Sequence, residues 1–254
     1  MQLELRGTTT HYQQIGAHQR VLVLLHGWGG SWQSWHPVVA RLSERYQLVI
    51  PDLPGFGASR LNGQVWSSAE YAKWLRQFVN EVLATQTFNL VGHSFGGKIA
   101  ALYAAGEGGQ LGSLERLVLV GASGLPDPLP LSSRLKQAVV AAVPHPLKDR
   151  LPTPLKERLL ATAGLATDYL RANQEQRLVF QEIFRENIAQ SLVKIETPTL
   201  LVWGGRDTET PPHQGKRMAR YLPHAELVVL TEAGHFPFVD QPPAFVKAVS
   251  SFVG

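Results

Sequence analysis

The sequence predicts a doubly wound α/β architecture, a mostly parallel sheet with a helical cap inserted into it, and three observations carry that expectation. Short apolar runs rich in leucine and β-branched residues recur at residues 20–25, 46–50, 88–91, 117–120, 199–202 and 225–230. Segments of helical period lie between several of them. The alternation stops from about residue 124 to residue 190 and resumes at "IETPTLLVWG".

Each apolar run is nearly continuous instead of alternating, as expected for a strand buried on both faces of a parallel sheet. Residues 2–6 and 12–15 read as a leading antiparallel hairpin. Over residues 67–85, Tyr71, Trp74, Leu75, Phe78, Val82 and Leu83 fall along one stripe, with Glu70, Lys73, Arg76 and Glu81 elsewhere, which predicts an amphipathic helix. Between 124 and 190 there are helical patterns at 132–143, 154–163 and 175–190, punctuated by prolines. A structureless connection of that length is improbable in a compact domain. The chain therefore divides into a first core segment, 1–123, a helical cap, 124–190, and a second core segment, 191–254. The last of these ends in a helix that begins near Asp240 and carries Phe245, Val249 and Phe252.

A chain of 254 residues can bury one sizeable core. With 44% hydrophobic and 17% charged residues, disordered and collagen-like classes are excluded. The formal charge of +4 comes from basic residues scattered among acidic ones, so no nucleic-acid face is expected. The absence of cysteine removes disulfides, thiolate metal ligands and cysteine nucleophiles together. The first residues show no positively charged stretch followed by an apolar one, and no apolar run approaches the roughly 18 residues that cross a bilayer. A cytoplasmic protein with no membrane span, a monomer or homodimer, is the expectation.

The stretch "FNLVGHSFGGKIAAL" places a strand, a glycine-rich turn and a helix of small residues in succession. It fits two mechanisms. In a nucleophile elbow, G-x-S-x-G, Ser94 stands at the tip of a strained turn, with Gly92 and Gly96 leaving room for it. In a phosphate loop, residues 92–98 supply the glycines and Lys98. That motif needs a hydroxyl after the lysine, where Ile99 stands, and an acidic residue ending a neighbouring strand, for which only Asp52 is ready. Lys98 then reads as a solvated helix residue.

An elbow serine needs a base to take its proton and a carboxylate to orient the base. "EAGHFPFVDQP" sets His235 in a loop directly after the last strand. Among the other histidines, His93 is locked in the elbow, and His145, His213 and His224 lie in polar or proline-rich contexts. "LLVWGGRDTETP" sets Asp207 after the penultimate strand, with Glu209 and Asp127 as the alternatives. "VLLHGWGGSWQSW" supplies a loop whose Trp28 amide could meet that of Phe95 around an oxyanion, while His26 reads as structural. Trp28, Trp32, Phe95, Phe236 and Phe238 are the candidate apolar neighbours of the site. Arg134, Lys136, Lys148 and Arg150 read as solvated cap residues, with reception of an anionic substrate as the alternative.

His26–Gly29, "DLPGFGAS" from Asp52, Gly92–Gly97, Trp203–Asp207 and Gly234–Phe236 stand in an order that resembles the α/β-hydrolase family over nearly the whole chain. The resemblance implies an eight-stranded sheet, a cap after the sixth strand, and a Ser94–Asp207–His235 triad that uses no cofactor and no metal. The dehalogenase and epoxide-hydrolase branches carry aspartate where Ser94 stands. Within the serine branches the chain is similar to carboxylesterases, including pimeloyl-ester hydrolases, and to hydrolases of carbon–carbon bonds. The activity implied first is hydrolysis of a small-molecule carboxylic ester. Carbon–carbon cleavage, or a receptor of the same fold, are the alternatives.

Overall fold

The computed structural model describes residues 1–84, 86–107, 114–126, 172–184 and 186–254. Its strands are β1 (Gln2–Leu5), β2 (Thr8–Ile15), β3 (Val21–Leu25), β4 (Gln47–Pro51), β5 (Phe88–His93), β6 (Leu114–Val120), β7 (Thr199–Gly204) and β8 (Ala225–Leu230). They form one 8-stranded sheet in the order β1-β2-β4-β3-β5-β6-β7-β8. The pairings β1–β2 and β2–β4 are antiparallel and the remaining ones parallel.

The continuous apolar runs are explained by where alternate side chains go. On β3, Val21, Val23 and Leu25 enter one core while Leu22 and Leu24 enter the other. On β7, Leu201 and Trp203 divide from Leu200 and Val202 in the same way. The first core is covered by α2 (Ser68–Leu83) and α3 (Phe95–Ala104), and the second by α1 (His36–Ser43) and the C-terminal helix α8 (Pro242–Val253). Because both faces are covered, a strand needs apolar residues at both parities. The run at 225–230 departs from this expectation. As β8 it lies at the sheet edge, only partly buried, with Glu226 exposed.

The leading hairpin is longer than its apolar residues suggest. Arg6 and Gly7, both at positive φ (53° and 72°), make the two-residue turn, and β2 starts at Thr8. Thr8 and Thr10 are fully buried polar residues that the apolar pattern does not register. The Thr8 hydroxyl donates to Leu5 O at 2.8 Å, and Trp74 Nε1 donates to Thr10 Oγ1 at 2.9 Å. Helix α2 starts at a capping box. Glu70 N–H donates to Ser67 Oγ, and Ser67 N–H donates to the Glu70 carboxylate.

The helical patterns at 132–143 and 154–163, with His145, Asp127, Arg134, Lys136, Lys148 and Arg150, lie outside the described residues. The pattern at 175–190 resolves into two helices instead of one, α4 (Gln174–Phe184) and α5 (Ala189–Leu192). Between them Ile188 N–H donates to Gly124 O at 3.0 Å, and the Asn187 side chain accepts from Ala189 N–H. Tying the chain to the loop after β6 interrupts the helix. Two short helices follow: α6 (Pro212–Ala219) and α7 (Pro237–Asp240). No helix among the described residues is long and apolar enough to cross a membrane.

Lys98 is not solvated. It is 4% exposed on α3, with its Nζ donating to Ile183 O at 2.6 Å and to Glu186 Oε2 at 3.3 Å. The other Glu186 oxygen accepts from Ser68 N–H at the start of α2. The returning segment thus lies over α3, a cover that the local sequence around Lys98 does not announce. Burial pushes the lysine pKa down and Glu186 offsets part of that.

Two buried histidines tie loops to the sheet. His26 Nδ1 lies 2.7 Å from Gly27 O, and Leu53 N–H donates to His26 Nε2 at 2.9 Å, so β3 and β4 loops are joined as the structural reading of His26 expects. His93 Nε2 lies 2.8 Å from His235 O. Burial lowers the pKa of His26 from 6.5 to about 4 and, with the neighbouring His235, that of His93 to about 3. The folded state therefore binds fewer protons than the unfolded state below pH 6.5. Stability is fully present above pH 6.5 and is lost as pH falls through 4 towards 3. Denaturant titrations across that range should show the decline. A His93→Gln variant should show a shallower one, and an unchanged slope would contradict this account.

Candidate active site

Ser94 joins β5 to α3 with φ 51° and ψ −112°, a conformation that L side chains rarely adopt and that costs on the order of 1–3 kcal/mol. The end of β6 and the loop after it hold it from both sides. Ser94 N–H donates to Val120 O at 2.9 Å, and Ser94 O accepts from Ser123 N–H at 3.1 Å. The flanking glycines have no space for a side chain. A Cβ on Gly92 would lie 2.4 Å from Gly96 O, and one on Gly96 would lie 2.5 Å from His26 O. The elbow and the loop after β3 are thereby pressed together, with α3 starting directly after the serine.

Asp207 follows β7 and is buried. Its Oδ1 accepts from the Glu209 and Thr210 N–H groups, both at 2.9 Å, and its Oδ2 faces Thr210 Oγ1 and His235 Nδ1, each also at 2.9 Å. Burial opposes ionisation, but the hydrogen bonds from His235 and Thr210 outweigh it and hold the carboxyl below its usual range. The alternative Glu209 is exposed.

His235 stands in the loop after β8. Asp240 holds that loop by accepting from Gly234 N–H at 2.7 Å. His235 commits its Nδ1 to Asp207. His93, the neighbour of Ser94, contacts the same residue through its main-chain carbonyl, with ring centroids 4.7 Å apart. Among the described residues the Ser94 hydroxyl makes no hydrogen bond. The structure therefore joins Asp207 to His235 directly, and His235 to the elbow through His93.

Trp28 packs edge-on against Phe56 at 4.8 Å, Phe180 at 5.1 Å and Phe95 at 5.8 Å. Among the described residues, neither the Trp28 nor the Phe95 main-chain N–H donates a hydrogen bond. Asp52 is an organiser of this loop, accepting from Trp32 N–H at 2.7 Å and Ala58 N–H at 2.8 Å. Both of its carboxylate oxygens are thus engaged by main-chain amides.

The three candidate pocket residues separate. Phe236 is 47% exposed and lies against His93 and His235 at 4.9 and 5.3 Å. Phe238 is instead fully buried, packed on Trp35 at 4.3 Å and Phe245 at 5.8 Å, because α7 turns it into the core. Trp32 sits just before α1 with its ring on His36 and packs against the second core, whereas Trp28 packs against the first. Sequence reasoning missed Phe180, which α4 brings onto Trp28, and Thr210, three residues beyond Asp207. Phe56 was legible only as part of "DLPGFGAS". Among the described residues, no group of His, Asp and Glu could hold a metal ion.

Comparison with known proteins agrees with this layout. The profile described as the alpha/beta hydrolase family matches residues 22–248. A pimeloyl-[acyl-carrier protein] methyl ester esterase of Aeromonas hydrophila is 30% identical over 250 residues, covering 92% of this chain and 95% of its own. Among solved structures, a putative lipase from Acinetobacter baumannii superposes with TM-score 0.76 at 28% identity, covering 100% of this chain and 90% of that one. A bacterial membrane phospholipase A gives 0.75 at 27%, covering 100% and 84%. With strand order, elbow and a family match over most of its length in agreement, the chain belongs to the alpha/beta hydrolase family.

Proposed function

We propose that the chain is a serine hydrolase that cleaves carboxylic esters of small to medium apolar substrates through an acyl-enzyme. The observation that carries this is the 2.9 Å bond between Asp207 and His235 Nδ1, made by a histidine whose carbonyl is held by the residue next to Ser94. Nδ1–H on the carboxylate fixes the tautomer in which Nε2 is the base. Ser94 Oγ gives its proton to Nε2 as it bonds to the ester carbonyl carbon. Asp207 stabilises the imidazolium, and the Trp28 and Phe95 N–H groups receive the oxyanion. The imidazolium then protonates the departing alkoxide, and water repeats the sequence to release the acid.

Two further observations support the ester class. The Aeromonas relative is named for ester hydrolysis. Trp28, partly buried, is surrounded by the buried rings of Phe56, Phe95 and Phe180, which makes the neighbourhood of the proposed oxyanion amides apolar. Residues 124–190 serve in this reading as the cap, with Phe180 its contribution to that neighbourhood. The feature that would favour carbon–carbon cleavage is a cap arginine facing Ser94; Arg134, Arg150, Arg158, Arg171 and Arg185 fall outside the described residues, and no observation on Arg177 favours that reading.

Ser94→Ala should lower hydrolysis of p-nitrophenyl butyrate by at least about 10⁴-fold while the circular dichroism spectrum is kept. Turnover that survives this change refutes the assignment. A serine-directed phosphonate should add one equivalent to Ser94 by mass spectrometry, and absence of the adduct would favour a receptor. Asp207→Asn should cost roughly 10³–10⁴-fold in kcat by releasing the tautomer. Glu209→Gln should stay within about twofold, as for an exposed surface position.

A further inference from the structure

Thr210 is 7% exposed, and its hydroxyl stands where three parts of the site meet. Thr210 Oγ1 lies 2.9 Å from Asp207 Oδ2, 3.0 Å from Gly121 O at the end of β6, and 3.4 Å from His235 Nδ1. A hydroxyl has a single proton to give. Gly121 O and Asp207 Oδ2 are both acceptors, and an ionised carboxylate makes the stronger, charge-assisted bond. The Thr210 main-chain N–H already donates to Asp207 Oδ1 at 2.9 Å, so backbone and side chain of one residue would grip both carboxylate oxygens.

We propose that Thr210 is a positioning residue for the base, its hydroxyl donating to the same Asp207 oxygen that His235 uses. Two consequences follow from that sharing. The carboxylate is held in one rotamer, so the imidazole plane is set. The electron density of Oδ2 is divided between two donors, so removing the Thr210 donor leaves the carboxylate a stronger acceptor for the Nδ1 proton. Thr210 touches no reacting atom and acts only through Asp207.

The groups facing His235 among the described residues are few. Asp207 faces it from the loop after β7, and His93, held uncharged by burial, faces it from β5. Asp240 binds the main chain of its loop through Gly234. Glu209 is exposed and reaches Asp207 only through its main-chain N–H. Altering the Thr210 hydroxyl therefore changes the surroundings of His235 at one place.

This role rests on the ester-hydrolase reading, and the experiment separates the two. The pH profile of kcat/KM for p-nitrophenyl butyrate is measured for the parent chain, Thr210→Val and Thr210→Ser, alongside the His235 ring titration by ¹H–¹⁵N NMR. Thr210→Val keeps the shape and removes the donor. Its acid limb and its NMR midpoint should both move to higher pH by about half a unit or more, the direction expected when a carboxylate loses a donor and becomes a stronger acceptor for the imidazolium. Thr210→Ser keeps the hydroxyl and should restore the parent values. An NMR midpoint for the valine variant that stays at the parent value overturns the proposal. Should Thr210→Val not fold, Thr210→Ala gives the same two readouts. If the parent chain hydrolyses no ester, the functional reading fails, and the NMR midpoints still decide the place of the Thr210 proton.

Discussion

A serine at positive φ is held only where its surroundings leave it no alternative, and here that duty falls on β6. Val120, in the fully buried C-terminal half of β6, accepts the Ser94 amide, and Ser123, in the loop after β6, donates to the Ser94 carbonyl, so both peptide groups around the strained residue are tied down. The parallel register of β5 against β6 sets His93 opposite Val120. The turn is therefore a consequence of strand alignment, not of a local preference. From it follow the glycines at 92 and 96, the approach of the oxyanion loop to within contact of α3, and the direction of the α3 N-terminus.

The same geometry explains why the chemistry gathers at one edge of the sheet. Parallel strands end on the same side, and the loops that leave β3, β5, β6, β7 and β8 all emerge there. The Trp28 loop, Ser94, Gly121 beneath Thr210, Asp207 and His235, to which the proposed chemistry is assigned, come from these loops in turn. Many buried polar groups at this edge are paired: Asp52 holds the Trp32 and Ala58 amides, His26 the Leu53 amide, His93 Nε2 the His235 carbonyl, and Asp207 accepts at both oxygens, while His93 Nδ1 is buried without a hydrogen bond among the described residues. A low-dielectric setting makes each such bond strong and each unmade one costly.

The segment returning from the insertion joins this edge through side chains on α3 and the oxyanion loop. Lys98 receives the carbonyl of Ile183 and the carboxylate of Glu186, while Phe180, less than one turn earlier on α4, rests on Trp28. A cation at the C-terminal end of a helix is favoured by the helix dipole, and burial between two elements makes the pair a register mark more than a source of stability. The result couples the position of the Phe180 ring on Trp28 to α3, the helix that follows Ser94.

Much of this was legible in the residues alone. Unbroken apolar runs revealed the parallel strands because residues of both parities must be apolar when both faces are covered. The G-x-S-x-G turn, Asp207 after β7 and His235 after β8 were legible because each is a local strand-to-loop pattern. Thr8 and Thr10 escaped notice because their burial is made good by hydrogen bonds to Leu5 and Trp74, which no periodicity encodes. Lys98 looked solvated because its partners are 85 and 88 positions away. Phe236 and Phe238, two residues apart, divide between the site and the core on the turn of a four-residue helix. What the sequence determined was the kind of element at each position and the residue types its chemistry requires. Which side chains touch was left to the tertiary structure, because contact between distant residues depends on the register and packing of whole elements, to which no single stretch of chain has access.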